Sequence, residues 1–260
     1  MEYAVICLIA LVVSALTLFS GFGLGTVLMP AFALFFPLPV AIAATAVVHL
    51  ANNIFKAGLV GKNADWGVVV RFALPGAAAA LCGAALLNWF AAAMPLAAYT
   101  LGGRAFELTV LKLVIGILIV FFALVELLPC FNRLTFDRKY LALGGVLSGF
   151  FGGLSGNQGA LRSAFLLKAG LDKEAFIGTG TVAAVIVDAA RLIVYGIGFY
   201  SLHFSGVREI QGLVLAATAA AFLGAFIGAR LMKKITLRAV QILVGAMLML
   251  VGLAMAGGLI

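Results

Sequence analysis

Apolar runs of about 18 residues or more recur along almost the whole chain, and no other feature restricts its fold as much. Only a helix or a closed barrel satisfies its own backbone in lipid, and a run of that length with few charges is a spanning helix. With 65% of its 260 residues hydrophobic and 10% charged, the chain is expected to be an all-α polytopic membrane protein. A soluble domain does not fit, because no segment between runs exceeds about twenty residues. Met1-Glu2-Tyr3 lacks the basic start of a cleaved signal peptide. Cys7, Cys82 and Cys130 have no metal-ligand spacing and read as small apolar fillers. No Walker A pattern is present, so ATP hydrolysis within the chain is not expected. Neither a metal nor a cofactor is expected.

Ten segments are predicted, at 3–20, 22–36, 40–60, 67–91 and 109–129, then at 139–155, 157–170, 174–199, 206–231 and 237–258. The first two of each five are short and meet at a glycine turn. Each such pair is either two thin crossings or one re-entrant hairpin, and both options return the chain to the side it came from. Orientation follows from the basic residues, which concentrate on cytoplasmic loops. With the loops near 61–67, 130–138, 168–174 and 231–237 placed inside, the inner face holds Lys56, Lys62, Arg71, Arg133, Arg138, Lys139, Lys168, Lys173, Arg230, Lys233, Lys234 and Arg238. The outer face holds only Arg104, Lys112 and Arg208, and both termini fall outside. Much of the net charge of +8 is therefore an orientation signal rather than a sign of nucleic-acid binding.

The two halves look alike. Phe19-Ser-Gly-Phe-Gly-Leu-Gly25 parallels Phe151-Gly-Gly-Leu-Ser-Gly-Asn157, and Ala41 to Thr45 parallels Ala175 to Thr179. Asn53 and Lys56 stand three apart, as do Asp188 and Arg191. Lys112-Leu-Val-Ile-Gly116 resembles Gln241-Ile-Leu-Val-Gly245. Five segments per half is an odd number, so a second copy would be inverted in the membrane. The expectation is two repeats, 1–132 and 133–260, each starting with glycine-broken or re-entrant helices. That is the layout of secondary transporters, with the site where the breaks meet.

Polar residues at membrane depth mark that site, since ions and amides are costly in lipid unless they line an enclosed cavity. The break Gly152-Gly153-Leu154-Ser155-Gly156-Asn157-Gln158-Gly159 holds too many freed backbone groups for a packing seam alone. A helix starting near Asn157 aims its N–H groups and positive dipole end at an anion, and Arg162 adds a guanidinium suited to oxyanions. Thr45, His49, Asn52 and Lys56 fall on one face of the third segment with Asn53 beside them, although Lys56 also reads as a snorkelling inner-end residue. Thr181, Asp188 and Arg191 form the matching stripe in the second half. Asp188 is the only carboxylate near a helix centre, Glu126 lying close to an end. The Asp188–Arg191 spacing suits a neutralised structural pair as well as a coupling or gating pair. Tyr195, Phe199, Tyr200, Trp66 and Trp89 are assigned to the interfacial belts.

The pattern Ser20-Gly-Phe-Gly-Leu-Gly25 followed by Pro30, repeated as Leu147-Ser-Gly-Phe-Phe-Gly-Gly-Leu-Ser-Gly156, resembles the TauE/SafE-like sulfite exporter family of permeases, over essentially the whole chain. The resemblance implies a bacterial inner-membrane carrier of sulfur-containing anions: sulfite, sulfonates or sulfoacetate. The second half departs from the commoner pattern, with Asn157, Gln158 and Arg162 where more glycine and a proline are usual. The reading is a secondary transporter rather than an enzyme. Ser155, Asn157, Gln158 and Arg162 bind the anion with His49, Asn52, Asn53, Thr45 and Thr179, while Asp188, Arg191 and Lys56 couple or gate. The expected partners are a small anionic solute, a proton or sodium ion, and the bilayer, with a homodimer left open and no nucleic acid. Two alternatives stand beside it. One is an anion channel. The other is a rhomboid-like intramembrane serine protease, because Gly153-Leu154-Ser155-Gly156 matches the GxSG run around such a serine; that serine needs a base in reach, and His203 lies in an outer loop.

Overall fold

A computed structural model describes residues 1–17, 24–128, 135–201, 207–231 and 237–260. Ten α-helices cover most of these residues: α1 (Glu2–Thr17), α2 (Leu24–Ala33), α3 (Leu38–Val60), α4 (Trp66–Ala91), α5 (Val110–Leu127), α6 (Leu141–Ser155), α7 (Gly159–Leu166), α8 (Lys173–Ser201), α9 (Val207–Leu231) and α10 (Leu237–Ala256). They coincide with the ten segments expected from hydropathy. The chain is an all-α membrane protein carrying one small addition, a hairpin of β1 (Ala97–Leu101) and β2 (Arg104–Leu108). Its Gly102-Gly103 turn takes φ of 60° and 79°, which only glycine adopts without strain. Hydropathy does not reveal it, because Ala97 to Leu108 has no apolar run.

Local chemistry sets the helix boundaries. Asp65 accepts from the Val68 N–H at 3.1 Å to start α4, and Thr109 accepts from Lys112 N–H at 3.1 Å to start α5. Pro37 and Pro39 open α3, where the missing proline N–H costs nothing. At the end of α6, Gly156 turns left-handed with φ of 81° and donates to the Gly152 carbonyl at 2.9 Å. The chain resumes as α7 only three residues later.

Helix length separates the elements into two kinds. α3, α4, α8 and α9 each contain a stretch long and apolar enough to cross a membrane. By contrast, α2 has 10 residues and α7 has 8, so at 1.5 Å per residue they reach only about 15 and 12 Å of a roughly 30 Å core. Exposed apolar side chains such as Leu8, Ile54, Trp89, Ile193, Leu215 and Leu250 cover the outside of the bundle, as a protein solvated by lipid requires.

Packing is reciprocal between the first and last five helices. α1 lies on α9 as α6 lies on α4, α3 meets α9 as α8 meets α4, and α3–α8 and α5–α10 are the two remaining major contacts between the sets. The α4–α6 seam is close enough to exclude side chains. A Cβ on Gly149 would collide with the Gly76 carbonyl oxygen, and one on Gly153 with that of Ala80. Two apolar clusters fill the interior, a large one around Leu28, Ile42 and Ile115 and a smaller one around Phe72, Leu141 and Phe165. Between them runs a band of buried polar side chains.

Candidate functional site

Asp188 is the centre of that band. It stands on α8, fully buried, and four side chains from three directions converge on its carboxylate. From α3, His49 Nδ1 lies 2.6 Å from Oδ2 and Asn53 Nδ2 donates to the same oxygen at 3.1 Å. From the α6–α7 break, Gln158 Nε2 donates to Oδ1 at 2.8 Å. From one turn further along α8, Arg191 Nε donates to Oδ1 at 3.0 Å, with Nη2 2.7 Å away. A buried charge survives when it is paired and its remaining lone pairs are hydrogen-bonded, and both conditions hold here.

Arg191 has a second task. Its Nη1 donates to the Gly152 carbonyl at 3.1 Å, and the Tyr195 hydroxyl donates to that of Gly153. Carbonyls at the end of an interrupted helix gain from donors elsewhere, and Gly152 takes one in addition to the Gly156 N–H. α8 supplies them. Inside the break, Ser148 Oγ donates to the Gln158 carbonyl at 2.9 Å and Ser155 Oγ donates to that of Phe151 at 3.0 Å. The Asn157 side chain is buried, yet neither atom of its amide finds a partner among the described residues.

The start of α2 meets the same place. A Cβ on Gly25 would lie 3.3 Å from the Gly156 carbonyl oxygen, 3.4 Å from His49 Cδ2 and 3.7 Å from His49 Nε2. The first turn of α2 therefore lies against the glycine break from which α7 starts three residues later. Arg162, in α7, lies against α8 lower down, its Nε 3.6 Å from where a Gly180 Cβ would stand. Its charge reaches both His49 and Lys56.

All twelve residues given a site role from the sequence are buried, while Thr181 of the polar stripe is half-buried, and the twelve do not form one group. His49, Asn53, Gln158, Asp188 and Arg191 are joined directly. Asn52 and Lys56 form a second group facing α1 and α9. With its nitrogen turned toward those helices, the Asn52 amide donates to Ser14 Oγ at 3.2 Å and to the Ala221 carbonyl at 3.3 Å, and accepts from Lys56 Nζ at 3.2 Å. Lys56 is buried rather than snorkelling. Thr179 accepts from the Asp65 N–H at 2.9 Å and so fixes the entry to α4 instead of facing the cluster. Thr45 Oγ1 is buried with no partner among the described residues.

Tyr195 was assigned to an interfacial belt and is instead a core residue whose hydroxyl caps α6, whereas Trp66 and Trp89 are exposed. Its place seven residues after Asp188 on one helix face was the signal available in the sequence. Ser14 and Ser148, one in each half, were also missed. Single serines in apolar helices carry no pattern of their own. The Gly21, Gly23, Pro129, Cys130, Arg133, His203, Lys233 and Lys234 positions lie outside the described residues, as do the side chains of Arg104, Glu126, Phe199, Tyr200, Arg208, Arg230 and Arg238.

Half-length helices whose ends meet buried ions and amides, inside a bundle of membrane helices, define the solute-transporter class of membrane proteins. The chain belongs to the Sulfite exporter TauE/SafE family, whose family model matches residues 6–255. No match was found among curated proteins or among solved structures. Family membership makes the chain a multi-pass membrane transporter with a small anionic solute as its cargo class.

Proposed function

We propose that the chain is a secondary transporter that moves a small sulfur-containing or other organic anion, of the sulfite, sulfonate and sulfoacetate class, across the bacterial inner membrane. Transport proceeds by alternating access at the interface of two inverted repeats, 1–132 and 133–260. The observation that carries the reading is a charge count. Among the described residues, the buried band holds the cations Lys56, Arg162 and Arg191 against one carboxylate, Asp188. Asp188 pairs with Arg191, and with basic side chains outnumbering carboxylates three to one the band as a whole carries excess positive charge at membrane depth, which costs energy. A small oxyanion lowers that energy, because unlike charges attract far more strongly in a low dielectric than in water.

The repeat interpretation draws support from the reciprocal packing, and the lengths of α2 and α7 favour re-entrant hairpins over thin crossings. In this reading Arg162, Asn157, Ser155 and Gln158 approach the anion from the break. His49, Asn53 and Thr45 approach from α3, Asn52 ties α3 to α1 and α9, and Thr179 holds the inner end of α8. The Asp188–Arg191 pair gates, since it ties α8 both to α3 and to the break. Lys56 supplies charge from the inner side. The protease alternative is disfavoured by Ser155, whose hydroxyl is spent on the Phe151 carbonyl.

Purified protein in liposomes decides between carrier and channel. Labelled sulfite, isethionate or sulfoacetate should show saturable counterflow, accumulating transiently against a preloaded unlabelled pool. Conductive, non-saturating flux without counterflow would mark an anion channel, and no flux of any of the three would refute the substrate class.

A further inference from the structure

The family and the proposal above leave open what drives transport. His49 offers an answer that rests on the transporter reading. It is the one histidine among the described residues, and its ring is held between two different surroundings. On one edge Nδ1 lies 2.6 Å from Asp188 Oδ2. On the other, Cδ2 and Nε2 face the first turn of α2 at Gly25, beside the Gly156 carbonyl. Asn53 Nδ2 also donates to Asp188 Oδ2, at 3.1 Å, so that oxygen takes donors from both neighbours. This fixes the tautomer: Nδ1 carries a hydrogen and gives it to Asp188, leaving the Nε2 lone pair on the side of the break.

The rest of the surroundings carries little that can compete for a proton. α2 has no titratable side chain, and neither has α9 among its described side chains. α8 presents Asp188 and Arg191, already paired with each other. α7 presents Arg162, and α3 itself carries Lys56 two turns on; Lys62 after α3 and Arg71 on α4 are exposed. Arginine does not lose its proton in proteins, and Asp188 has every lone-pair direction occupied by donors. Nε2 has the Asn53 amide nitrogen 3.4 Å away, but that nitrogen already donates to Asp188 Oδ2, so Nε2 is the basic position of the cluster that no carboxylate holds.

We infer that His49 is the coupling-proton site, loading a proton at Nε2 when an anion binds beside the break and releasing it when the anion leaves, so that the two cross together. No covalent bond to the anion forms. The proton adds to the Nε2 lone pair from water on one side, the imidazolium is held by Asp188 at Nδ1 and by the anion at the other edge, and the same proton returns to water on the other side. The linkage is reciprocal: an anion stabilises the imidazolium, and the imidazolium raises anion affinity by the same factor. Asp188 then acts as a positioning residue through His49, which explains why four donors hold a carboxylate that no anion would approach.

The test uses the full chain with isethionate, a sulfonate whose own charge does not change between about pH 5 and 8, the range in which histidine titrates. In weakly buffered detergent solution, binding to the wild-type protein should take up close to one proton per anion above pH 7, and isethionate affinity should rise about tenfold for each unit of falling pH in that range. His49→Gln and His49→Asn should bind more weakly, with proton uptake per bound anion near zero and a flat pH profile. In liposomes with the membrane potential clamped, an acid-outside gradient should drive accumulation by the wild-type protein and not by either variant. Wild-type binding without proton uptake would overturn the inference, whatever the variants do. Uptake that persists per bound anion in either folded variant would overturn it too, by giving the proton to another group. If wild type neither binds nor exchanges sulfite, isethionate or sulfoacetate, the transport proposal falls and this inference falls with it.

Discussion

Arg191 reaches from α8 to the carbonyl oxygen of Gly152, 3.1 Å away at the end of α6. The same guanidinium pairs with Asp188, so one side chain both neutralises the buried carboxylate and caps the interrupted helix. This joins two properties that the sequence presents separately, a glycine break and an intramembrane ion pair. A break at this depth exposes carbonyls to a medium without water, and α8 provides the donors that make it tolerable. The position of α8 is thereby read by the break, and through His49 and Asn53 by α3.

Separating that pair should be costly and restoring neutrality should be cheap. Asp188→Asn leaves Arg191 buried without its counter-charge and turns amide hydrogens toward either Gln158 or Asn53, each of which is itself a donor. A loss of about 3–5 kcal/mol is expected, seen as a large drop in thermal unfolding temperature in detergent. Asp188→Asn with Arg191→Gln should recover most of it, falling short because the Gly152 carbonyl loses a charged donor. The double variant should fail in gradient-driven transport, since His49 then has no anchor for its imidazolium. A double variant no more stable than Asp188→Asn would show that capping α6, not neutrality, is the main role of Arg191.

Arg162→Ala should weaken anion binding by more than tenfold, from about 1.5–3 kcal/mol for a lost charge-assisted hydrogen bond. Arg162→Lys should recover part of this, because it keeps the charge but not the planar fork. Titration of sulfite and isethionate against the folded variants measures both. Unchanged affinity in Arg162→Ala would place the anion elsewhere.

Hydropathy alone made the ten helices legible, because a lipid-facing helix must be apolar along its whole length. Asp188 and Arg191 were legible for the complementary reason, as ions where ions are expensive. The division of the polar residues was not. Asn52 and Asn53 are adjacent in sequence, yet the helical turn of about 100° per residue sends one to Ser14 and Ala221 and the other to Asp188. Thr179 shows the same limit, since its bond to the Asp65 N–H depends on how α8 packs against the α3–α4 connection. Which neighbour a side chain meets is a property of packing, and periodicity gives only the face.

The glycines of the α4–α6 seam should be far less replaceable than glycines elsewhere in the helices. Gly149→Ala places its methyl on the Gly76 carbonyl, and because both atoms at the collision belong to helix backbone, relief requires moving a helix. A destabilisation of about 1–3 kcal/mol is expected. Gly58 is an exposed helical glycine at which a Cβ would have nothing within 4 Å, so Gly58→Ala should be neutral or mildly stabilising. Thermal unfolding of the two variants side by side checks the contrast, and equal effects would argue against close α4–α6 packing.

Orientation is the last expectation, and it is testable without any substrate. The basic residues place the α3–α4 connection inside and the β1–β2 hairpin outside, because cytoplasmic loops accumulate lysine and arginine. Lys62 and Asn63 in the first and Thr100 in the second are exposed, so a cysteine at Asn63 or Thr100 is open to reagents from its own side. In a background with Cys7, Cys82 and Cys130 replaced, Thr100→Cys should react with a membrane-impermeant maleimide in spheroplasts with an intact inner membrane. Asn63→Cys should react only after that membrane is opened. The two sites flank α4, a helix of 26 residues that reaches about 39 Å at 1.5 Å per residue, enough to put its ends in opposite compartments. The reverse labelling pattern would invert the molecule and place the Lys56 end of the polar band toward the outside. Labelling of both positions before the membrane is opened would instead mean that α4 does not cross.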